Sequence, residues 1–434
     1  MPLRSLHYIR AVAMTLVVAA HVQSTWQALS PAQCFLDHVA LVFLHGGAIG
    51  IFFVVAGFLF HHQQWQRVNG TVSTDGKDCT NPKEHQAVSL LPFRSEQESS
   101  MPKKESNMEA SRKIWTNFDS LRYVRSRIWR IGWPYLAISV PVLLHRMYLE
   151  EEKQRQVAFS VHESTALEEH YWSTVARRML TMKNLRLILE ALRTGRGVNY
   201  AYWFVPVIMI LCCLSPIVIF LLKASKRVQI STLLCTYAIS LILVGRPSKN
   251  GVWPLVLYFW PLYLSGSLIS LHYARFANAE RWTGRFTILL LFVVVCQVKY
   301  GSDMLTSFPV LANVFNLMQM FLTTGFAFAT ARRYDRRQAR PRVLHFVLER
   351  IADTSFEIYL IHPWVIAFID KRLKEMNWKE QLQRAGWCTW LLETLVVIVA
   401  SVGLAVIWRW MVRTFRSPSK ALTCTRGNVS TGNE

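Results

Sequence analysis

The chain has 434 residues, of which 52% are hydrophobic and only 18% are charged. A soluble domain carries about 25% charged residues and a disordered chain carries more polar residues still, so both classes are disfavoured. The formal net charge of +22 would suit a nucleic-acid-binding protein. However, the basic residues lie between apolar runs rather than in one basic domain, which weakens that interpretation, and the long apolar windows exclude a soluble nucleic-acid binder, so no nucleic-acid partner is predicted.

Long windows without Asp, Glu, Lys or Arg dominate the chain, and a helix needs about 20 mainly apolar residues to cross a bilayer. Six windows are long and apolar: Ala11–Leu36, His38–Gln66, Tyr200–Leu222, Val228–Gly245, Asn250–Ala274 and Met304–Ala331. Four are weaker: Ile128–Leu144, Phe286–Val298, Ile358–Ile369 and Trp387–Trp408. We therefore predict an all-α, polytopic bundle of about ten transmembrane helices in a lipid bilayer.

Basic residues between the spans predict the orientation. The connection 332–342 holds six arginines, and Arg409 belongs to a basic group at the end of the last span. The positive-inside rule therefore places both termini in the cytoplasm, in a multi-pass protein of the plasma membrane or an endomembrane. The predicted organisation is two transmembrane helices (1–66), a polar, disordered cytoplasmic insertion (67–117), eight further helices (118–416) with an outward segment at 150–199, and a cytoplasmic tail (417–434). An interfacial helix is predicted over Val175–Leu192.

His21 is an ionisable residue inside the first span, where such groups are costly and indicate function. A neutral imidazole can act as a general base or nucleophile near pH 7. Position alone leaves a second interpretation open, a histidine that only hydrogen-bonds a neighbouring helix. Arg10 lies eleven residues before His21, on nearly the same helix face. Two interpretations of Arg10 are open: a cation with a function, or a flanking arginine that snorkels to the membrane interface.

Arg127 and Arg130 begin the third span three residues apart, so they share a helix face at the cytoplasmic boundary. Two guanidinium groups there could clamp the phosphates of a soluble cofactor, or could be ordinary positive charge on the inner side. The sequence has no Walker or GxGxxG loop, so nucleotide hydrolysis is unsupported. It also has no Cys/His spacing typical of zinc, so no metal is predicted.

The ninth span is unusually polar, because Ser355, Glu357, Tyr359 and His362 fall within about two helical turns. Glu357 and His362 lie inside the span and are difficult to explain as capping residues. Glu357 is predicted to be catalytic by orienting or charge-balancing a histidine. Tyr359 and His362 are predicted to bind substrate.

Two further residues are candidates for substrate binding. Trp203 opens the fourth span within an aromatic run, either as part of an interfacial belt or as a stacking platform for a sugar. His45 opens the second span. The glycines of that span permit a close approach of helices: Gly46, Gly47, Gly50 and Gly57.

Five segments, in this order, resemble motifs of the acyltransferase-3 family of multi-pass membrane acyltransferases. They are Arg10 with His21 eleven residues later, Ile51-Phe-Phe-Val-Val-Ala-Gly-Phe58, Arg127-Ile-Trp-Arg130 with Pro134, Tyr202-Trp-Phe204, and Ser355-Phe-Glu-Ile-Tyr-Leu-Ile-His362. The resemblance covers nearly the whole chain apart from the insertion at 67–117.

The resemblance implies ten helices, with acetyl-CoA or another acyl-CoA as the donor. It implies transfer of the acyl group to a hydroxyl of a carbohydrate, lipid or small molecule. His21 would be catalytic, and Arg127 and Arg130, with Arg10, would hold the coenzyme.

The chain departs from the family pattern at two positions. Ala56 replaces the usual serine, and Gly50 stands where aspartate is common. If those groups take part in catalysis elsewhere, either the acceptor or the activity differs here. Two alternatives therefore stay open, a secondary transporter that uses His21 and Glu357 as proton-relay groups, and a catalytically silent scaffold or receptor.

Overall fold

The computed structural model describes residues 3–23, 47–62, 120–144, 182–194, 200–243, 251–272, 281–336, 342–384 and 387–416. Within these ranges all regular structure is helical, which confirms the all-α prediction. The predicted insertion at 67–117, His45 and Gly46 lie outside the described residues.

The helical elements follow one another along the chain. They are α1 (Leu3–Gln23), α2 (Gly47–His62), α3 (Ser120–Arg127), a π-helical turn (Ile128–Gly132), α4 (133–144), α5 (Met182–Thr194), a 3-10 turn (Tyr200–Trp203), α6 (Phe204–Cys213), α7 (Ser215–Lys223), α8 (Lys226–Leu243), α9 (Val252–Leu271), α10 (Thr283–Ser307), α11 (Pro309–Arg336), α12 (Arg342–Asp353), α13 (Ser355–Glu375), α14 (Lys379–Arg384) and α15 (Trp387–Arg416).

Several helices are suited to a membrane by length and composition. Among the described residues four can cross one: Val252–Leu271, Thr283–Tyr300, Pro309–Ala331 and Cys388–Val412. A fifth is possible if α6 and α7, which are bent by 48° at their junction, form one span. Two shorter apolar helices are Leu6–Val22 and Gly47–His62. The chain is thus an integral membrane protein, whereas ten spans and cytoplasmic termini remain predictions.

One helix boundary differs from the expected one. The chain between the predicted spans Phe286–Val298 and Met304–Ala331 was expected to be a connection, but it is helical as far as Ser307, so only Phe308 separates α10 from α11. Pro309 is the first residue of α11. The N–H at the first position of a helix has no acceptor within the helix, so proline, which lacks an N–H, is tolerated there. The predicted interfacial helix is present as α5, which begins at Met182, and residues 175–181 lie outside the described part of the chain.

The described residues divide into two compact units, 1–9 with 46–338 and 10–45 with 339–434. In the first unit, α2 and α9 cross at a reciprocal pair of glycines. A Cβ atom on Gly57 would lie 1.9 Å from the Tyr263 carbonyl oxygen, and one on Gly266 would lie 1.9 Å from the Val54 carbonyl oxygen. Only glycine at both positions permits this approach of the two backbones.

Contacts on either side of the glycines show the relative direction of α2 and α9. Phe53 stacks on Phe259 at 4.2 Å between ring centroids, and His61 Nδ1 lies 2.9 Å from Ser270 Oγ. Residue numbers therefore increase together along the two helices, so the helices are parallel. α2 and α9 belong to the second and the sixth of the ten predicted spans. Spans that cross a membrane in alternating directions are parallel when both have even numbers, so the prediction also requires α2 and α9 to be parallel.

Gly50, where the family commonly has aspartate, is closely packed. A Cβ atom there would lie 2.6 Å from Met320 Cβ and 2.9 Å from Met320 Cγ. The space that a carboxylate would need is occupied by α11. The close packing of α2 against α11 therefore accounts for glycine, rather than aspartate, at position 50.

In the second unit, α13 and α15 pack as neighbours, and the C-terminal end of α13 is rich in ion pairs. Asp370 accepts hydrogen bonds from Lys374 at 2.8 Å and from Lys379. Partial burial raises the pKa of the Asp370 carboxyl, but the two lysines outweigh that effect and the pKa lies below its ordinary value. Lys374 and Lys379 are thus partly neutralised.

Candidate active site

The structure brings together two histidines, His21 in the last turn of α1 and His362 in the first half of α13. His21 Nδ1 lies 2.9 Å from His362 Nε2, and the ring centroids are 4.9 Å apart at an interplanar angle of 33°. The His362 side chain is 0% exposed, and His21 is half-buried. His21 is therefore the member of the pair that a substrate can reach more easily.

A second polar contact joins the same two helices. Arg10 Nη2 donates to Ser355 Oγ at 2.7 Å. Arg10 precedes His21 in α1, and Ser355 precedes His362 in α13, so the two helices are parallel. The first and fifth of the five motifs, an arginine before a histidine and a serine before a histidine, thus contact each other in order.

Trp390 of α15 holds the end of α1. Its Nε1 donates to the Ala19 carbonyl at 3.3 Å, two residues before His21. A buried indole N–H needs an acceptor, and this carbonyl near the end of α1 provides one. The position of His21 therefore depends on α15 as well as on α13.

Glu357 contacts an arginine. Arg409 Nε lies 2.7 Å from Glu357 Oε1, and Arg409 Nη2 lies 2.9 Å from Glu357 Oε2. Arg409 also donates to the Asp353 carbonyl at the end of α12. Glu357 was predicted to orient or charge-balance a histidine. In the structure both carboxylate oxygens of Glu357 accept hydrogen bonds from Arg409, so Glu357 links α13 to α15.

Breaking this pair is expected to lower stability. Arg409→Met would leave Glu357, 13% exposed, without its cation, at a cost below the roughly 3–5 kcal/mol of a fully buried pair because Arg409 is 31% exposed. The double variant Glu357→Gln with Arg409→Met should recover part of the loss, since a neutral amide needs no cation. Thermal unfolding in detergent measures both, and a double variant no more stable than Arg409→Met would contradict the interpretation.

Arg127 and Arg130 lie at the junction of α3 and the π-helical turn in the first unit. Arg127 is half-buried with its guanidinium carbon 5.3 Å from the centroid of the Tyr123 ring, and Arg130 is exposed. A π turn holds more residues than an α turn, so the two side chains diverge more than the predicted shared face implied. Trp129 and Trp133 are exposed beside them, as in the aromatic belt at a membrane interface.

The remaining candidates are packed to different extents. Trp203 is half-buried and stacks on Phe259 at 5.5 Å between centroids, so Phe259 occupies one face of the indole. Tyr359 is buried, and its ring centroid lies 5.8 Å from that of His362. In the described part of the chain, no group of three or more His, Cys, Asp or Glu residues could hold a metal ion.

The sequence did not predict two residues that contact the site, Trp390 near His21 and Arg409 at Glu357. Arg409 was assigned to the basic group at the membrane boundary, and Trp390 was not distinguished from other apolar residues of the last span. One signal was available for Arg409. An acidic residue inside a span needs a cationic or donating partner, and Arg409 is a basic residue at the edge of the next span.

The fold and this site define an all-helical integral membrane protein with a histidine pair at the contact of two helices. A family model described as an acyltransferase domain, that of acyltransferase-3, matches residues 3–410, and the chain belongs to that family. The protein is therefore a membrane acyltransferase. Searches of curated proteins and of solved structures gave no significant match.

Proposed function

We propose that the protein transfers an acyl group, with acetyl as the first candidate, from acyl-CoA to a hydroxyl of a carbohydrate, lipid or small molecule. The observation that carries this proposal is the contact of His21 with His362. His21, the histidine of the first-helix motif that the chain resembles, is thus an imidazole with a defined partner. A general base near neutral pH is what attack by a hydroxyl on a thioester requires.

The proposed chemistry needs one proton carrier. His21 takes the proton of the acceptor hydroxyl as its oxygen attacks the thioester carbonyl carbon. The tetrahedral intermediate then breaks its carbon–sulfur bond, and the CoA sulfur leaves with the electron pair. His21 returns the proton to that sulfur, so an ester and free CoA are formed and the enzyme is unchanged.

Arg127 and Arg130 are proposed to bind the phosphates of the donor, and Arg10 supports the histidine site through Ser355. A hydrogen bond to a charged group contributes about 1.5–3 kcal/mol. Arg130→Gln is therefore expected to raise the KM for acyl-CoA about tenfold or more, with little change in kcat.

The matched control is Arg285→Gln, which removes the same charge from a residue whose guanidinium carbon lies 4.6 Å from the centroid of the Trp282 ring. Its KM should stay that of the wild type. Since phosphate binding is electrostatic, added salt should raise the wild-type KM more steeply than that of Arg130→Gln. Equal KM values for Arg130→Gln and Arg285→Gln would remove Arg130 from the donor site.

The decisive experiment incubates detergent-purified protein with radiolabelled acetyl-CoA and, separately, with longer acyl-CoA donors. Label is followed on added glycans, on lipids and in water-soluble products. Label in an alkali-labile ester on one of these acceptors would support O-acyl transfer. Labelled protein alone would point to transfer onto the chain, and folded protein that transfers nothing from any donor would overturn the proposal.

A further inference from the structure

The hydrogen bond between the two histidines has a direction that the other contacts of His362 decide. Two neutral imidazoles can share a hydrogen bond only if one nitrogen carries a proton and the other carries a lone pair. His21 Nδ1 and His362 Nε2 are the two nitrogens in contact, at 2.9 Å. The identity of the donor determines which nitrogen of His21 is basic.

His362 Nδ1 lies 3.1 Å from the carbonyl oxygen of Ile358, one helical turn earlier. A carbonyl only accepts hydrogen bonds, so Nδ1 carries the proton. A charged imidazolium is costly to bury, and the side chain is 0% exposed, so the ring is neutral. Its Nε2 therefore carries the lone pair and accepts.

It follows that His21 donates from Nδ1 and carries its lone pair on Nε2. We propose that His362 is a positioning residue that selects this tautomer of His21, so that Nε2 takes the proton of the acceptor hydroxyl. This inference rests on the proposed function for its catalytic meaning. A carboxylate selects the histidine tautomer in the Ser-His-Asp triad, and a neutral imidazole with a backbone acceptor does so here. His362 itself takes no proton during turnover.

The test reads the tautomer directly by nitrogen NMR on protein labelled with ¹⁵N-histidine and reconstituted in lipid. The chain has 13 histidines, so the His21 and His362 signals are assigned by their loss in His21→Asn and His362→Leu. We expect protonated Nδ1 and unprotonated Nε2 for both residues. His362→Leu should shift His21 toward the tautomer with the proton on Nε2, whereas His362→Gln, whose side-chain oxygen can accept, should retain the original one.

Kinetics give the second measurement. His362→Leu should lower kcat about 10–100-fold, the cost typical of removing the outer partner of a functional histidine, with the KM for acyl-CoA unchanged. His362→Gln should recover most of that loss. His345→Leu, at a half-buried histidine of α12, is the control and should change neither the His21 signals nor kcat.

The two measurements separate this inference from the proposed function, because the wild-type spectrum needs no substrate. A proton on Nε2 of His21 in the wild type would overturn the inference even in an active enzyme. A protonated Nδ1 in a protein that transfers no acyl group would support the tautomer assignment while the proposed function fails. A His362→Leu protein with the altered tautomer and wild-type kcat would overturn the positioning role.

Discussion

His21→Ala is expected to lower the turnover of acyl transfer about 10²–10⁴-fold, the usual contribution of general-base catalysis. The variant removes the imidazole that contacts His362 at 2.9 Å, and with it the proposed base for the acceptor hydroxyl. The KM for acyl-CoA should change little, because the phosphates are proposed to bind at Arg127 and Arg130. Initial rates with radiolabelled acetyl-CoA measure this, once the decisive experiment has identified an acceptor.

The controls separate chemistry from folding. His21→Asn places an amide where Nδ1 was, so its N–H can still donate to His362 while the basic nitrogen is missing, and turnover should fall as far as in His21→Ala. His345→Ala removes a histidine from α12 and should keep wild-type turnover. Wild-type rates in either His21 variant would exclude His21 as the base.

Gly57→Ala is expected to destabilise the protein by about 3 kcal/mol or more, at or above the upper end of the usual cost of overpacking. The new methyl group would meet the Tyr263 carbonyl oxygen at 1.9 Å and its carbonyl carbon at 2.8 Å. These are backbone atoms that cannot rotate away, so α2 and α9 must separate. That separation would also stretch the hydrogen bond from Ser267 Oγ to the Gly57 carbonyl, now 2.9 Å. Gly266→Ala should have a similar effect, because its methyl group would meet the Val54 carbonyl oxygen at the same distance.

Gly403→Ala in α15 is the matched control, since nothing lies within 4 Å of a Cβ atom at that position. Alanine in a helix interior is worth roughly 0.5–1 kcal/mol over glycine, so this variant should unfold at the same temperature as the wild type or slightly above it. Thermal unfolding in detergent, followed by tryptophan fluorescence, compares the three variants. Gly57→Ala with wild-type stability would show that α2 and α9 are not in close contact at this crossing.

The helices themselves were largely predictable from the sequence. Hydropathy and charge placement are local properties, and they located α9 and α11 within a few residues of their observed positions, and the start of α15 at Trp387, whereas α15 continues to Arg416, beyond the predicted end at Trp408. The errors fell at the ends, as where α10 runs on to Ser307 through an expected connection. A polar residue such as Ser302 does not end a helix. A prediction from hydropathy nevertheless places a span boundary near such a residue, because the local composition becomes polar there.

The candidate site was predictable only in part. An ionisable residue inside an apolar helix is unusual wherever the helix packs, so the sequence by itself pointed to His21, His362 and Glu357 and to the family. The partners of these residues were decided by tertiary structure. His21 and His362 are 341 positions apart, and Glu357 and Arg409 are 52 apart. No local pattern states which helices become neighbours, because that depends on the packing of all of them, including the glycine crossing of α2 and α9. The sequence determined which side chains needed a polar partner, and the tertiary structure decided that His21 contacts a second imidazole and that Glu357 contacts Arg409.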